Sequence, residues 1–250
     1  MKIILQKPSI HYFPPTTIQT KAAEFHAEFL NELLEHSAPL VLLSGGSAIP
    51  MYRDLFQYLA EKRPDLSNLT VSLFDERFVL RESPDSNEEQ LRQVGVIELL
   101  NKHQAHWISY LGSTNRSGLE VAHSMSQEFA QQLFRDKELV IFAGIGEDGH
   151  TAGLLPTKNS LIIQEIFESD NNVEYYELPN DVINHFRQRL TSTPHLIRRA
   201  KHVIVYAKGG EKKQALREFL KHDQSISSFP SNALHEAANP VTIITDQKLD

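Results

Sequence analysis

The 250-residue sequence contains no cysteine. Disulfide bonds, thiolate zinc sites and a cysteine nucleophile are therefore excluded, and the composition is compatible with a reducing compartment. No stretch approaches the roughly 18 to 20 apolar residues of a membrane-spanning helix, and the apolar run at the N-terminus is too short for a secretory signal. We therefore expect a cytoplasmic protein that does not bind membranes.

Positive charge is also scarce, since the formal net charge is -7. Proteins that bind nucleic acid usually carry a surplus of lysine and arginine, which displaces counterions from the phosphate backbone. We therefore expect no nucleic-acid partner, and any cations that bind a ligand should be local. Apolar residues make up 40% of the chain, enough for the core of a single α/β domain over residues 1–250.

Short apolar runs alternate with segments of helical periodicity along the chain. This alternation predicts a mostly parallel sheet with helices on both faces, because parallel neighbours need crossover connections. The segment 158–193 is less regular and indicates strands and loops beside a site. We expect helices over 16–36, 51–62, 88–101, 117–135 and 211–220, and strands over 40–43, 69–74, 107–111, 139–143, 202–207 and 241–245.

A glycine turn, Ser44-Gly45-Gly46-Ser47, links the strand 40–43 to the next helix. In parallel sheets ligands bind beyond the carboxyl ends of the strands. The glycines can bring backbone N–H groups close to an anion that also interacts with the helix dipole. The turn is therefore a candidate phosphate-binding loop, with an ordinary strand-to-helix turn as the alternative.

A charged triplet, Asp75-Glu76-Arg77, follows the strand 69–74. The planar fork of arginine suits phosphate or carboxylate oxygens, and a neighbouring acid can orient it. We therefore interpret Asp75 and Arg77 as candidate substrate-binding residues. A solvated charged loop is the alternative.

The most informative segment runs from Gly144 to Pro156, directly after the strand 139–143. Its glycines permit a tight turn that delivers Asp148 and His150 together to the edge of the sheet. A histidine in that position is a candidate general base, although it could also serve only to cap or pack the loop.

Three of these glycines, Gly144, Gly146 and Gly149, fit the G-x-G-x-x-G pattern of dinucleotide-binding loops. That pattern normally belongs to the first strand and opens a long helix at its third glycine. Here it lies in mid-chain and Pro156 follows seven residues after Gly149. We therefore do not expect a nicotinamide cofactor.

Two further cations lie late in the chain. Arg189 precedes a predicted short helix, and Lys212 lies near the start of the predicted helix 211–220, behind the glycine pair 209–210. A lysine in that position can reach an anion held at the same edge of the sheet, although lone lysines there are mostly solvated. The sequence shows neither a zincin motif nor a Gly-x-Ser-x-Gly elbow, so we expect no metal and no serine nucleophile.

Together and in this order, these motifs resemble the 6-phosphogluconolactonases, which belong to a wider group that includes the glucosamine-6-phosphate deaminases. The resemblance covers nearly the whole chain from about residue 40, and Asp148-Gly149-His150-Thr151-Ala152 is its most specific part. The matching segments are Ser44-Gly45-Gly46-Ser47, Asp75-Glu76-Arg77-Phe78-Val79, Ser86-Asn87, Gly144 to Pro156, Arg189-Leu190-Thr191, and Gly209 with Lys212.

The resemblance implies a Rossmann-like α/β fold and hydrolysis of 6-phospho-D-glucono-1,5-lactone to 6-phosphogluconate in the oxidative pentose phosphate pathway, with no cofactor or metal. His150 matches the family's proposed general base. Arg77, Arg189, Lys212 and the loop 44–47 match positions near the phosphate and ring of the substrate. From the spacing alone, we expect Asp148 to orient the imidazole.

Some positions depart from the family pattern. The loop usually ends in Ser/Thr-Thr-Pro, whereas Ser47 is followed here by Ala48-Ile49-Pro50. Deaminases typically carry Gly-His-Ile-Ala-Phe-Asn-Glu-Pro, in which the glutamate supports the histidine, and that acid is absent from the run 153–156. A deaminase and a sugar-phosphate-binding protein without activity are the two alternatives to the lactonase.

Overall fold

The computed structural model describes residues 7–112, 116–179 and 186–249. Most of the apolar N-terminal run lies in residues 1–6, outside the described residues, and a single domain over 1–250 stays a prediction. Within the described residues the strands are β1 Ser9–Tyr12, β2 Leu40–Leu43, β3 Thr70–Leu73, β4 Asp75–Arg77, β5 His106–Trp107, β6 Leu139–Ala143, β7 Val173–Glu177, β8 Gln188–Ser192, β9 His202–Ala207 and β10 Thr242–Thr245.

The helices lie between these strands, mostly where the periodicity predicted them. None of them is long and apolar enough to cross a membrane over the ranges that the structure describes. They are α1 Ile18–Leu33, α2 Ile49–Lys62, α3 Asn87–Gln93, α4 Val96–Lys102, α5 Gly118–Phe134, α6 Ser160–Ile162 with a π-helical continuation Ile163–Phe167, α7 Pro194–Arg198 and α8 Lys212–Lys221, with 3-10 turns at Gly46–Ala48 and Pro230–Glu236.

Seven strands form a parallel sheet in the order β1-β10-β9-β6-β2-β3-β5. Its central strands β2, β3 and β6 are buried at every residue. This burial explains why β2 and β6 appear in the sequence as uninterrupted apolar runs. From β2 the chain adds the next strand, β3, on one side. From β6 it adds β9 on the other side, toward the opposite edge of the sheet. Because such crossovers are right-handed, the helices of the two halves cover opposite faces, and the predicted fold class is confirmed.

The direction in which the chain adds strands to the sheet reverses between the neighbouring, parallel strands β2 and β6. At such a switch point the loops leave the carboxyl ends of two adjacent strands in opposite directions and open a crevice. The loop 44–47 follows β2 and the loop 144–150 follows β6. The topology therefore brings together two segments that are about a hundred residues apart in the chain.

A second sheet was not predicted. Strands β4, β8 and β7 pair antiparallel, and Arg77 lies directly opposite Arg189. Residues 75–77, for which a solvated loop was the alternative, form β4. The irregular segment 158–193 supplies the two partner strands.

Other predicted boundaries were wrong. The single helix expected over 88–101 is two helices, because Gly95 has a φ of 80° in the left-handed region and separates α3 from α4. The strand expected over 107–111 is limited to His106–Trp107, and the edge strand β1 was not predicted.

Helix α1 buries a histidine in the core. The His26 side chain is 0% exposed, and its ring meets the Phe142 ring edge-on at 4.4 Å. Its Nδ1 lies 2.6 Å from the carbonyl oxygen of Ala22. Burial lowers the pKa of His26 to about 4. The hydrogen bond to Ala22 acts to raise the pKa but offsets only part of this effect.

This histidine should make folding stability depend on pH. Its pKa in the folded state lies below the ordinary 6.5, so as pH falls below 6.5 the unfolded chain takes up the proton first and stability is lost. Between about pH 7 and pH 4.5, wild type should lose roughly 2 kcal/mol more unfolding free energy than His26→Leu. Urea denaturation of both proteins at each pH measures this difference.

The comparison with the variant is needed because burial raises the pKa of Glu76 to about 7, which acts in the opposite sense over the same range. That contribution is common to both proteins and cancels in the difference. An identical pH dependence of the two proteins would contradict the role assigned to His26.

Candidate active site

A cleft of about 590 Å³ opens at the carboxyl ends of β2 and β6. Its volume lies in the range of small-molecule sites, roughly 300 to 1,000 Å³. Asp148 lines an adjoining cavity of about 280 Å³, which shares His150, Arg189 and Lys212 with the cleft. The other predicted site residues all line the cleft itself, namely Ser44, Gly45, Gly46, Ser47, Asp75, Arg77, His150, Arg189 and Lys212.

The loop 44–47 joins β2 to the first turn of α2. The hydroxyl of Ser44 donates to the carbonyl of Phe142 at 2.9 Å, which ties β2 to β6 beneath the cleft. Beyond it, the 3-10 turn Gly46–Ala48 runs directly into α2, which has a proline in its first turn. Backbone N–H groups at the start of a helix lack partners within the helix, and together with the helix dipole they favour an anion at this end of the cleft.

The loop 144–150 presents a carboxylate–histidine pair. Asp148 Oδ1 lies 2.6 Å from Nδ1 of His150 and 3.1 Å from its backbone nitrogen. The loop is closed by hydrogen bonds from Gly146 N to the His150 carbonyl at 2.8 Å and from Thr151 Oγ1 to the Gly144 carbonyl at 2.9 Å. No helix opens at Gly149, and the next one is α6, which argues against dinucleotide binding.

The electrostatics of the pair determine which ring nitrogen is free. Partial burial acts to raise the pKa of Asp148, but the hydrogen bonds and charge of His150 outweigh it and hold that pKa at about 2. Asp148 is therefore ionised at neutral pH and can only accept, so in a neutral imidazole Nδ1 carries the hydrogen. The lone pair of Nε2 is then available to take a proton.

The position of the imidazole depends on Gly146. A Cβ at Gly146 would lie 2.0 Å from Nδ1 of His150 and 2.1 Å from its Cε1. The ring is therefore packed directly against the backbone of residue 146. A side chain at this position would displace either the loop or the ring.

The strand β4 contributes two residues to the cleft and one to the interior. Glu76 is 1% exposed, and its carboxylate accepts hydrogen bonds from the backbone N–H groups of Arg77, Asn87 and Glu88 at 2.7 to 2.9 Å and from the Ser86 hydroxyl at 2.9 Å. It fastens β4 to the start of α3. The interpretation of the triplet as a solvated loop was therefore wrong for Glu76.

Asp75 is a buried carboxylate in the wall of the cleft. Burial raises its pKa, while the positive charges of Arg189, His150 and Arg77 act to lower it. Its backbone carbonyl accepts a hydrogen bond from the Asn87 side-chain amide at 3.1 Å. Asp75 is therefore placed among the cations of the cleft.

These cations come from the three-stranded sheet and a helix. Arg77 and Arg189 face each other across β4 and β8, and Lys212 is the first residue of α8. Arg77 donates to the Asp85 carbonyl at 2.8 Å, and Arg189 Nε donates to the Phe186 carbonyl at 3.2 Å. All three line the cleft, which is therefore suited to an anion although the chain as a whole is acidic.

Sequence reasoning gave no role in the cleft to several residues that line it. Asn87 belonged to a recognised motif, and its position one residue after the N-cap Ser86 was a usable signal. Phe186 and Glu211 carried no signal that distinguished them from loop residues. Among the residues the structure describes, no group of three or more histidine, aspartate or glutamate side chains is arranged to hold a metal ion.

The fold and the cleft define an α/β protein with a cation-lined cleft and a carboxylate–histidine pair at the edge of its parallel sheet. A family model described as glucosamine-6-phosphate isomerases/6-phosphogluconolactonase matches residues 15–243. The chain belongs to this family.

Individual relatives agree with this assignment. The chain is 29% identical to a 6-phosphogluconolactonase of Chlamydia trachomatis over 80% of this chain and 72% of that protein. The structure of 6-phosphogluconolactonase from Trypanosoma brucei matches with a TM-score of 0.73 at 22% identity and 96% coverage of both chains. A monomeric glucosamine-6-phosphate deaminase also has a TM-score of 0.73, at 17% identity with 95% and 97% coverage, so the fold alone does not separate the two activities.

Proposed function

We propose that this chain hydrolyses 6-phospho-D-glucono-1,5-lactone to 6-phospho-D-gluconate, the second step of the oxidative pentose phosphate pathway, with His150 as general base. The observation that carries the proposal is the Asp148–His150 pair, joined at 2.6 Å, beside a cleft that three cations line. The named lactonases among its relatives support the same reaction. The cysteine-free composition fits the cytoplasm as its location.

The phosphate provides the binding energy that positions the lactone. A phosphate dianion held by Arg77, Arg189 and Lys212, with the backbone N–H groups of the loop 44–47, would fix the sugar relative to His150. We assign Asp75 to a substrate hydroxyl, because a buried carboxylate among cations can accept a hydrogen bond from it.

The hydrolysis itself requires one proton to be removed and returned. A water oxygen attacks the lactone carbonyl carbon while one of its protons passes to Nε2 of His150. We assign stabilisation of the resulting oxyanion to backbone N–H groups at the edge of the cleft rather than to the cations that hold the phosphate. The bond from the carbonyl carbon to the ring oxygen then breaks. The imidazolium gives its proton to that ring oxygen, which becomes a hydroxyl group of the open chain. The new carboxylic acid ionises in water.

Asp148 is assigned a supporting part in this sequence. Its carboxylate holds the hydrogen on Nδ1, which directs the free lone pair of Nε2 toward the reacting water. It also stabilises the imidazolium that forms, since the negative charge lies within hydrogen-bond distance. Asp148 itself keeps its charge throughout.

The reaction is tested with lactone generated in situ by glucose-6-phosphate dehydrogenase, by following 6-phosphogluconate formation. A blank without the chain is essential because the lactone also hydrolyses spontaneously. We expect a rate above the blank that is proportional to the concentration of the chain. A rate equal to the blank would reject the proposal.

Two further measurements separate the alternatives if the rate equals the blank. Ammonia release from glucosamine 6-phosphate would identify a deaminase. Calorimetric binding of 6-phosphogluconate without turnover of either substrate would identify a binding protein without activity.

Removal of one cation should weaken phosphate binding more than catalysis. In Lys212→Met, the KM for the lactone and the Kd for 6-phosphogluconate should both rise by about 10- to 150-fold, because a charge-assisted hydrogen bond contributes roughly 1.5 to 3 kcal/mol. The adjacent Lys213→Met is the matched control, since Lys213 does not line the cleft. Equal effects of the two variants would contradict a specific role for Lys212.

A further inference from the structure

We propose that Phe186 is a positioning residue that orients both arginines of the cleft, Arg77 through its ring and Arg189 through its backbone carbonyl. The inference rests on the proposed function, since it assigns these arginines to the substrate phosphate. Phe186 is half-buried and lines the cleft between them.

The ring of Phe186 lies under the guanidinium of Arg77. The Arg77 Cζ atom is 4.0 Å from the ring centroid, within the distance at which a cation is attracted to an aromatic face. On its other side, Arg77 donates from NH1 to the Asp85 carbonyl at 2.8 Å. The aromatic face and the carbonyl together limit the positions the guanidinium plane can adopt. A flexible side chain is thereby held in place before the ligand arrives.

The backbone of Phe186 contacts the second arginine. Its carbonyl accepts a hydrogen bond from Nε of Arg189 at 3.2 Å. The adjacent Arg187 is itself anchored, because its carbonyl accepts from Leu178 N at 2.9 Å and its NH1 donates to the Pro179 carbonyl at 3.2 Å. The backbone of Phe186 is therefore held by its covalent neighbour Arg187, which is hydrogen-bonded directly before β8.

Both arginines need such support because their positions on paired strands bring two positive charges together. Asp75 offsets part of this repulsion, but its single carboxylate faces two guanidinium groups, and like charges favour conformations that move those groups apart. A site whose groups are already oriented loses less conformational entropy on binding. The contacts of Phe186 therefore act on ligand affinity rather than on the chemical step.

The test compares Phe186→Leu with Phe186→Tyr. Loss of the aromatic face in Phe186→Leu should raise the Kd for 6-phosphogluconate and the KM for the lactone by about 3- to 30-fold with kcat changed less, given the usual strength of cation–π contacts. Phe186→Tyr retains the face and should stay within about twofold of wild type. Calorimetry gives the Kd independently of turnover, and inorganic phosphate serves as a second probe.

A double-mutant cycle with Arg77→Lys tests whether the ring acts through Arg77. We expect Phe186→Leu to weaken binding less in the Arg77→Lys background than in wild type, because lysine lacks the planar group that stacks on the ring. Phe78→Leu is the matched control, since that partly buried ring contacts Tyr175 and does not line the cleft.

Three results would each overturn the inference. These are an unchanged Kd in Phe186→Leu, an equal loss in Phe186→Tyr, and full additivity in the cycle. If the lactone is not turned over but the Kd values behave as expected, the proposed hydrolysis fails while the role of Phe186 stands. If turnover is normal and the Kd of Phe186→Leu is unchanged, only the role of Phe186 fails.

Discussion

In His150→Gln, kcat for lactone hydrolysis should fall by about 10²- to 10⁴-fold, the usual contribution of a general base. Glutamine retains a polar side chain of similar length but cannot take a proton from water at neutral pH. The Kd for 6-phosphogluconate should change little, because the cations and the loop 44–47 are intact. The coupled assay, corrected for spontaneous hydrolysis, measures kcat, and calorimetry measures the Kd.

The matched control is His123→Gln, which makes the same chemical change at an exposed position on α5 outside the cleft. It should retain wild-type kcat. If His150→Gln keeps more than about a tenth of wild-type kcat, another group must activate the water. Intact binding with lost turnover would agree with the assigned role.

Gly146→Ala should cause a loss of comparable size without removing any chemical group. Its Cβ would lie 2.0 Å from Nδ1 of His150, so the imidazole or the loop must move. Either movement disturbs the 2.6 Å contact with Asp148 and the direction of Nε2. A misplacement of about 1 Å can lower a rate by about 10²-fold, and we expect kcat to fall at least that far.

Gly210→Ala is the matched control, because a Cβ there would meet nothing within 4 Å. It should retain kcat within about twofold. Thermal unfolding of both variants shows whether the Gly146→Ala loss is local. Near-wild-type turnover in a folded Gly146→Ala protein would show that His150 does not need its observed position.

The two loops at the switch point could be located from the sequence because their signal is local. Leu40–Leu43 and Leu139–Ala143 are apolar runs in which every residue is buried, and glycines follow each run within two residues. The rule that ligands bind beyond the carboxyl ends of parallel strands then indicated the loops 44–47 and 144–150. Their meeting in one cleft agrees with that prediction, while the roles of their residues remain proposals.

The second sheet could not be located in the same way. β4 consists of three charged residues, whose composition is typical of a loop, and it becomes a strand only by pairing with β8 more than a hundred residues later. Strand propensity depends on such pairing and on burial more than on the residues themselves. The interior position of Glu76 and the contacts of Phe186 were invisible for the same reason.

The pleat of β4 and β8 determines which charges face the cleft. Successive side chains of a strand point to opposite faces, so Asp75 and Arg77 share one face with Arg189 opposite, while Glu76 projects to the other. Deleting a single residue from β4 would turn the buried glutamate toward the cleft and the arginine away from it. Strand length at this point is therefore as strict a requirement for an anion site as the identity of its arginines.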